Sequence, residues 1–128
     1  FKSTIARRRG PDSHIHEPFQ VLPVDLGTGT GAEGGLGEAI AAMAAPETMP
    51  DGAVKRLCID RLPLILIVHL KRFVFDPETG DIGKSFRHVP IPQVLELAGN
   101  PFIATSCASP FPQLTNNLAY RLQAVVYH

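Results

Sequence analysis

"LPLILIVHLKRFVFD", residues 62–76, is the most apolar stretch of the chain, and its reading decides the fold. Within residues 62–70 only Pro63 and His69 interrupt the run of large aliphatic side chains. Both side-chain parities are apolar in the first half, which is the pattern of a central strand covered on two faces. The run is far short of the ~20 residues that a membrane-spanning helix needs. His69, Lys71 and Arg72 then break the pattern, so the strand is expected to leave the core there and turn its polar ends to partners or water.

Working outward, Asp76-Pro77-Glu78-Thr79-Gly80 has the chemistry of a hairpin loop. Residues 86–91 resume an extended pattern punctuated by Pro90 and Pro92, and 94–97 form a short strand or turn. Residues 99–118 are expected to be a surface insertion. The last strand is expected over 120–128, with Tyr120, Leu122, Ala124 and Val126 on one face. Upstream, 55–60 are strand-like and Pro50-Asp51-Gly52 is a turn. Leu36, Ile40, Met43 and Ala44 recur at helical spacing, which predicts a helix over 36–45 that Pro46 ends. Residues 19–26 read as a strand that Pro23 demotes to an edge or a bend. One short helix against five or six strands makes an α+β fold built mainly of antiparallel sheet.

The composition narrows the function. The chain has 128 residues, 12 basic and 12 acidic side chains and no formal net charge. Nothing global therefore argues for nucleic acid or an anionic membrane, and neither is expected as a partner. The Arg7-Arg8-Arg9 run reads as a solvated stretch. Two cysteines, Cys58 and Cys107, make no disulfide framework and point to a reducing compartment. The chain opens on Phe1 and not on methionine, which is read as an internal fragment of a longer protein.

Residues 27–37 carry six glycines in eleven positions, and Gly29-Thr30-Gly31-Ala32-Glu33-Gly34 matches G-x-G-x-x-G letter for letter. The "DLGTGTG" segment also resembles the first motif of class I methyltransferases, with Asp60 in the place of a ribose-binding acid. A phosphate cradle needs a central parallel strand, a rigid helix start and continued β/α alternation. Here Pro23 interrupts the strand, glycines run into the helix start, and the alternation stops after Asp60. A flexible connector is the better reading of 27–37, and a nucleotide- or methyl-donor-binding enzyme built on Gly27 to Gly34 the lesser alternative.

Leu62, Pro63, Leu66, His69, Leu70, Lys71, Arg72 and Phe73 follow L-P-x-x-L-x-x-H-L-K-R-F, the strand signature of the ubiquitin-specific proteases. The chain resembles this family of papain-like thiol proteases over nearly its whole length. "HEPFQVLPVDL", with Glu17, Pro18 and Phe19 fixed, is similar to the family's E-P-F segment and following strand. "LGEAIAAMAAPETM" is similar to the next helix. Lys84 and "HVPIP" are similar to a K-x-x-x-x-V-x-F-P strand, and "YRLQAVVYH" to the strand preceding the catalytic histidine box.

The resemblance implies fingers and part of the palm of a deubiquitinase, a hydrolase cleaving the (iso)peptide bond after the C-terminal glycine of ubiquitin. It implies ubiquitin and ubiquitinated proteins as partners, together with the rest of the catalytic domain, and a cytoplasmic or nuclear location. Asp76, Pro77, Glu78, Thr79, Gly80, Asp81 and Lys84 fall on a loop that in the family overhangs the ubiquitin tail. The family's nucleophilic Cys, its base His and the Asp or Asn that orients it have no match here, so no catalytic residue is assigned and the fragment alone is expected to be inactive. A non-catalytic ubiquitin-binding domain is the other reading. The family's C-x-x-C pairs, which would close a zinc site near Arg7 and Asp51, are missing, so no metal and no cofactor is expected.

Among single residues, Cys58 with His69 or His88 would need hydrogen-bond contact to act as a nucleophile–base pair. A half-buried strand cysteine is the simpler reading. His14 and His16, with no further ligands, are expected to be solvated.

Overall fold

The computed structural model describes residues 1–7, 10–26, 34–108 and 118–127. Much of the glycine-rich 27–37 segment and of 99–118 therefore lies outside the described residues. The strands are β1 (Lys2–Ala6), β2 (Ser13–His16), β3 (Val21–Asp25), β4 (Glu47–Thr48), β5 (Val54–Arg61), β6 (Ile67–Lys71), β7 (Phe73–Phe75), β8 (Ile82–Lys84), β9 (Val94–Glu96), β10 (Ile103–Ala108) and β11 (Ala119–Arg121). The helix α1 (Leu36–Ala42) lies between β3 and β4. The α+β class with a single short helix holds among the described residues.

The main sheet runs β10-β5-β1-β2, with β4 also on β5. Turn chemistry sets its local register. Asp51 Oδ1 accepts the Ala53 amide at 3.0 Å and Gly52 has φ +80°, so the chain reverses between β4 and β5 and pairs Thr48 with Val54. Three two-stranded units complete the fold: β3 with β6, β7 with β8, and β9 with β11. The pairing is mostly antiparallel, but β3–β6 and β10–β5 are parallel.

The helix is amphipathic: Leu36, Ala39 and Ile40 are buried while Glu38 is exposed. It packs on β3 and β9. Its first amide, Leu36 N–H, donates to the Pro90 carbonyl at 3.1 Å, and Asn100 Nδ2 donates to the Gly37 carbonyl at 3.0 Å. Gly34 is needed at the entry, because a Cβ there would lie 2.7 Å from Glu38 Cβ. The expected helix over 36–45 is shorter than predicted. After Ala42 the amides of Ala44 and Ala45 bond three residues back, tightening the last turn before Pro46.

The core gathers Leu22, Val24 and Leu26 from the β3 strand and its end, the helix face, Ile59, Leu62, Leu95, Leu97, Phe102 and Ile103. Burying these faces is the main favourable term holding sheet and helix together.

Four expectations change. Residues 62–66 are not a covered central strand: they bend, and Leu64 and Ile65 are 63% and 77% exposed. Pairing starts only at Ile67, where β6 meets β3 and side chains alternate between exposed and half-buried. The apolar pattern recorded apolar faces and not what covers them. Residues 86–91 contain no strand, because Pro90 and its neighbours pass over the helix start. The last strand ends at Arg121. Leu122 N–H still reaches the Gln93 carbonyl at 2.8 Å, but the facing Pro90-Ile91-Pro92 segment forms no strand for it to continue along. Finally, 99–118 is not simply a surface excursion. Its described part enters the main sheet as β10, and Phe102 is fully buried.

Phe102→Ala is expected to destabilise the fold by about 3–5 kcal/mol, the usual cost of a phenyl-sized core deletion. A chemical-denaturation midpoint shift checks it; no shift would mean that Phe102, at the entry to β10, is not part of the core.

Candidate functional site

The residues expected to overlie a bound peptide tail form the tip and base of the β7–β8 hairpin. Phe73 pairs with Lys84, Val74 with Gly83 and Phe75 with Ile82. At the tip the Asp76 amide donates to the Asp81 carbonyl at 2.9 Å, and Gly80 N–H to the Asp76 carbonyl at 2.8 Å. Asp76 Oδ1 accepts the Glu78 amide at 2.9 Å, and Thr79 Oγ1 accepts the Asp81 amide at 3.3 Å. Gly80 takes φ +72°, a conformation that costs a β-carbon-bearing residue free energy. The Asp76 carboxyl is held below its ordinary value, chiefly by the Glu78 amide and then by the Thr79 side chain. All of Asp76, Pro77, Glu78, Thr79, Gly80, Asp81 and Lys84 are exposed. The structure therefore brings this predicted set together as one hydrogen-bonded acidic turn.

The fixed residues of the sequence signature divide between two places. Glu17, Pro18, Phe19, Leu62 and Pro63 line one groove beside Phe1 and Asp60. The Phe1 and Phe19 rings stack with centroids 4.6 Å apart. Tyr120 Oη donates to the Pro63 carbonyl, and burial, with Cys107 adding, pushes the phenol up to about 12. His69, Leu70, Lys71, Arg72 and Phe73 lie instead on β6 and the start of β7, with His69 opposite Pro23. There they connect the core to the hairpin.

The other candidates resolve on geometry. His16 Nδ1 lies 2.8 Å from Asp60 Oδ2, and His14 Nδ1 lies 3.1 Å from Thr4 Oγ1. Among the described residues no group of three or more His, Cys, Asp or Glu side chains converges on one point. Asp60, the residue cast as a ribose acceptor, faces His16, and the first helical amide, Leu36 N–H, is donated to the Pro90 carbonyl. Residues 27–33 of that turn lie outside the described residues. Cys58 is half-buried on β5, and among the described residues no hydrogen bond joins it to His69 or His88. Burial pushes the Cys107 thiol up, with Asp60 and Cys58 acting in the same sense, the opposite of what a nucleophilic thiolate requires.

Sequence reasoning missed Arg87 and Asn100. Arg87 Nη1 donates to the Leu26 carbonyl at 2.6 Å, and Arg72 Nη1 to the Arg87 carbonyl at 2.7 Å. Nothing local marks Arg87, since its partner is 61 residues away. Asn100 did carry a signal: it precedes Pro101, and its Oδ1 accepts the Phe102 amide at 3.0 Å in an Asx turn.

Sheet, helix and hairpin together are those of the finger-and-palm part of a papain-like thiol-protease domain. The family model for ubiquitin carboxyl-terminal hydrolases matches residues 2–128, and the chain belongs to that family. It is 33% identical over 137 residues to the probable ubiquitin carboxyl-terminal hydrolase 3 of Schizosaccharomyces pombe, covering 99% of this chain and 25% of that protein. Ubiquitin carboxyl-terminal hydrolase 10 of Rattus norvegicus is 27% identical over 139 residues, covering 99% of this chain and 16% of that protein. The chain thus spans a quarter or less of the length of these relatives. Among solved structures, the SAGA Ubp8/Sgf11/Sus1/Sgf73 DUB module bound to ubiquitin aldehyde superposes with a TM-score of 0.67. It is 22% identical and covers 81% of this chain and 24% of that one, a likeness of fold.

Because the folded turn favours ionised Asp76, its contribution is complete above the ordinary value of 3.8 and is lost as pH falls through the lowered one. An NMR titration of the Glu78 amide should inflect below 3.8, and Asp76→Asn should abolish the inflection. An inflection at or above 3.8 would contradict the Asx turn.

Proposed function

We propose that this chain is part of the catalytic domain of a thiol-dependent deubiquitinase, which hydrolyses the peptide or isopeptide bond after the C-terminal glycine of ubiquitin. The observation that carries the proposal is the family match over residues 2–128, joined to the position of the signature. Its last residues, Arg72 and Phe73, lead directly from β6 into the exposed hairpin. That hairpin flanks the channel taking the ubiquitin tail, with Asp76, Glu78, Asp81 and Lys84 at its polar surface. The relatives' names and the ubiquitin aldehyde held by a similarly folded module support the same substrate class.

The chemistry needs three groups that this chain does not assign. A Cys thiolate adds to the terminal glycine carbonyl. The imidazolium of a His, oriented by an Asp or Asn, protonates the departing amine. Water, deprotonated by the same His, then cleaves the thioester. The 128 residues supply scaffold and substrate contact for this reaction. Their two half-buried cysteines, not joined in a disulfide, suit a reducing compartment, the cytosol or nucleus.

An electrophilic probe built on the ubiquitin C-terminus tests the reading. It should form a covalent adduct with the full-length polypeptide and none with the 128-residue chain. Labelling of Cys58 or Cys107 in the short chain would refute the division of roles, and no labelling of the full-length polypeptide would refute the activity.

A further inference from the structure

The β7–β8 hairpin has an attachment problem. The two strands pair with each other and with no other described strand, and Phe73, Phe75 and Ile82 are largely exposed. Side-chain packing therefore does little to set the direction in which the hairpin points. Its base carries the fixed contacts. The Ser85 amide donates to the Arg72 carbonyl at 2.6 Å, closing the hairpin one step below the Phe73–Lys84 pair. The Arg72 guanidinium then reaches forward to the Arg87 carbonyl at 2.7 Å, so one residue holds both sides of the base. The Arg87 guanidinium in turn donates to the Leu26 carbonyl at 2.6 Å. Leu26 is buried in the core at the end of β3.

We infer that Arg87 is a positioning residue that fixes the direction of the 73–84 hairpin by anchoring its base to the core at Leu26. The inference rests on the proposed function only for what the hairpin touches. The anchoring itself follows from three backbone carbonyls and two guanidinium groups. Arginine suits the task because a charged donor to a carbonyl makes a stronger bond than a neutral one, and the planar guanidinium loses less freedom on binding. Arg72 and Arg87 are both half-buried, where water competes less for these bonds. A hairpin so held presents its Asp76–Asp81 turn at one angle to a peptide lying alongside. Freed at Arg87, it would sample many, and the peptide would meet its partner groups in only a fraction of them.

The test uses the full-length polypeptide, with Arg87→Ala and Arg87→Lys beside the wild type. In Arg87→Ala, hydrogen exchange of residues 73–84 should quicken about fivefold or more, while that of β5 stays as in the wild type. With a ubiquitin substrate carrying a fluorogenic group at its C-terminus, KM should rise about tenfold while kcat stays within about twofold, the signature of lost substrate binding. Arg87→Lys keeps one donor for the Leu26 carbonyl and should fall between the two; it also decides the matter if the alanine variant fails to fold. Unchanged exchange over 73–84, or exchange that quickens equally in β5, overturns the inference. So does a fall in kcat with KM unaltered. A wild type that does not turn over the ubiquitin substrate would refute the proposed function instead, and the exchange result would still decide the anchoring.

Discussion

Three strands of this fold depend on one. β5 carries β1 along one edge and both β4 and β10 along the other, and its Ile59 is fully buried. The Ile59 amide donates to the Phe102 carbonyl at 2.8 Å, and Phe102 and Ile103 join it in the core. Removing β5 from this arrangement would leave β1–β2, β4 and β10 without a common partner. The helix, Leu22 and Val24 would also lose the far wall of their core. α1 is held by its buried face and by hydrogen bonds to Pro90 and from Asn100, and the β7–β8 hairpin is held at its base through Arg72 and Arg87.

That hierarchy separates a packed part from an appended part, and the proposed chemistry uses the appended part. A peptide-binding hairpin on a rigid base can be held for its ligand while keeping apolar and acidic groups exposed. The signature residues run across the join. Leu62 and Pro63 belong to the groove beside Phe1 and Phe19, whereas Arg72 and Phe73 belong to the hairpin. Eight fixed positions in twelve thus mark the connection between the packed core and the β7–β8 hairpin.

What the sequence made legible was local. The helix announced itself through its 3.6-residue period and Pro46, the β4–β5 turn through Pro50-Asp51-Gly52, and the 76–80 turn through Asp-Pro-Glu-Thr-Gly. Each is set by side-chain chemistry within a few residues of the backbone it shapes. Features that depend on distant partners were not legible. β10 is small and polar in its second half and gave no strand signal; its place comes from Ile59 and Phe102. β11 stops where the facing Pro90-Ile91-Pro92 segment lies outside any strand. The apolar run 62–70 was recognised, but exposure of Leu64 and Ile65 depends on what packs against them. The glycine pattern shows the reverse case. Its letters match a phosphate-binding turn in full, while Asp60 faces His16 and the Leu36 amide is donated to Pro90.

The central claim is that the 76–81 turn lies beside the ubiquitin tail, and it can be tested directly. A photocrosslinking side chain installed at Glu78 of the full-length polypeptide, irradiated with ubiquitin bound, should join to the last residues of the ubiquitin C-terminus. Crosslinks confined to the globular body of ubiquitin would place the hairpin elsewhere and contradict the account.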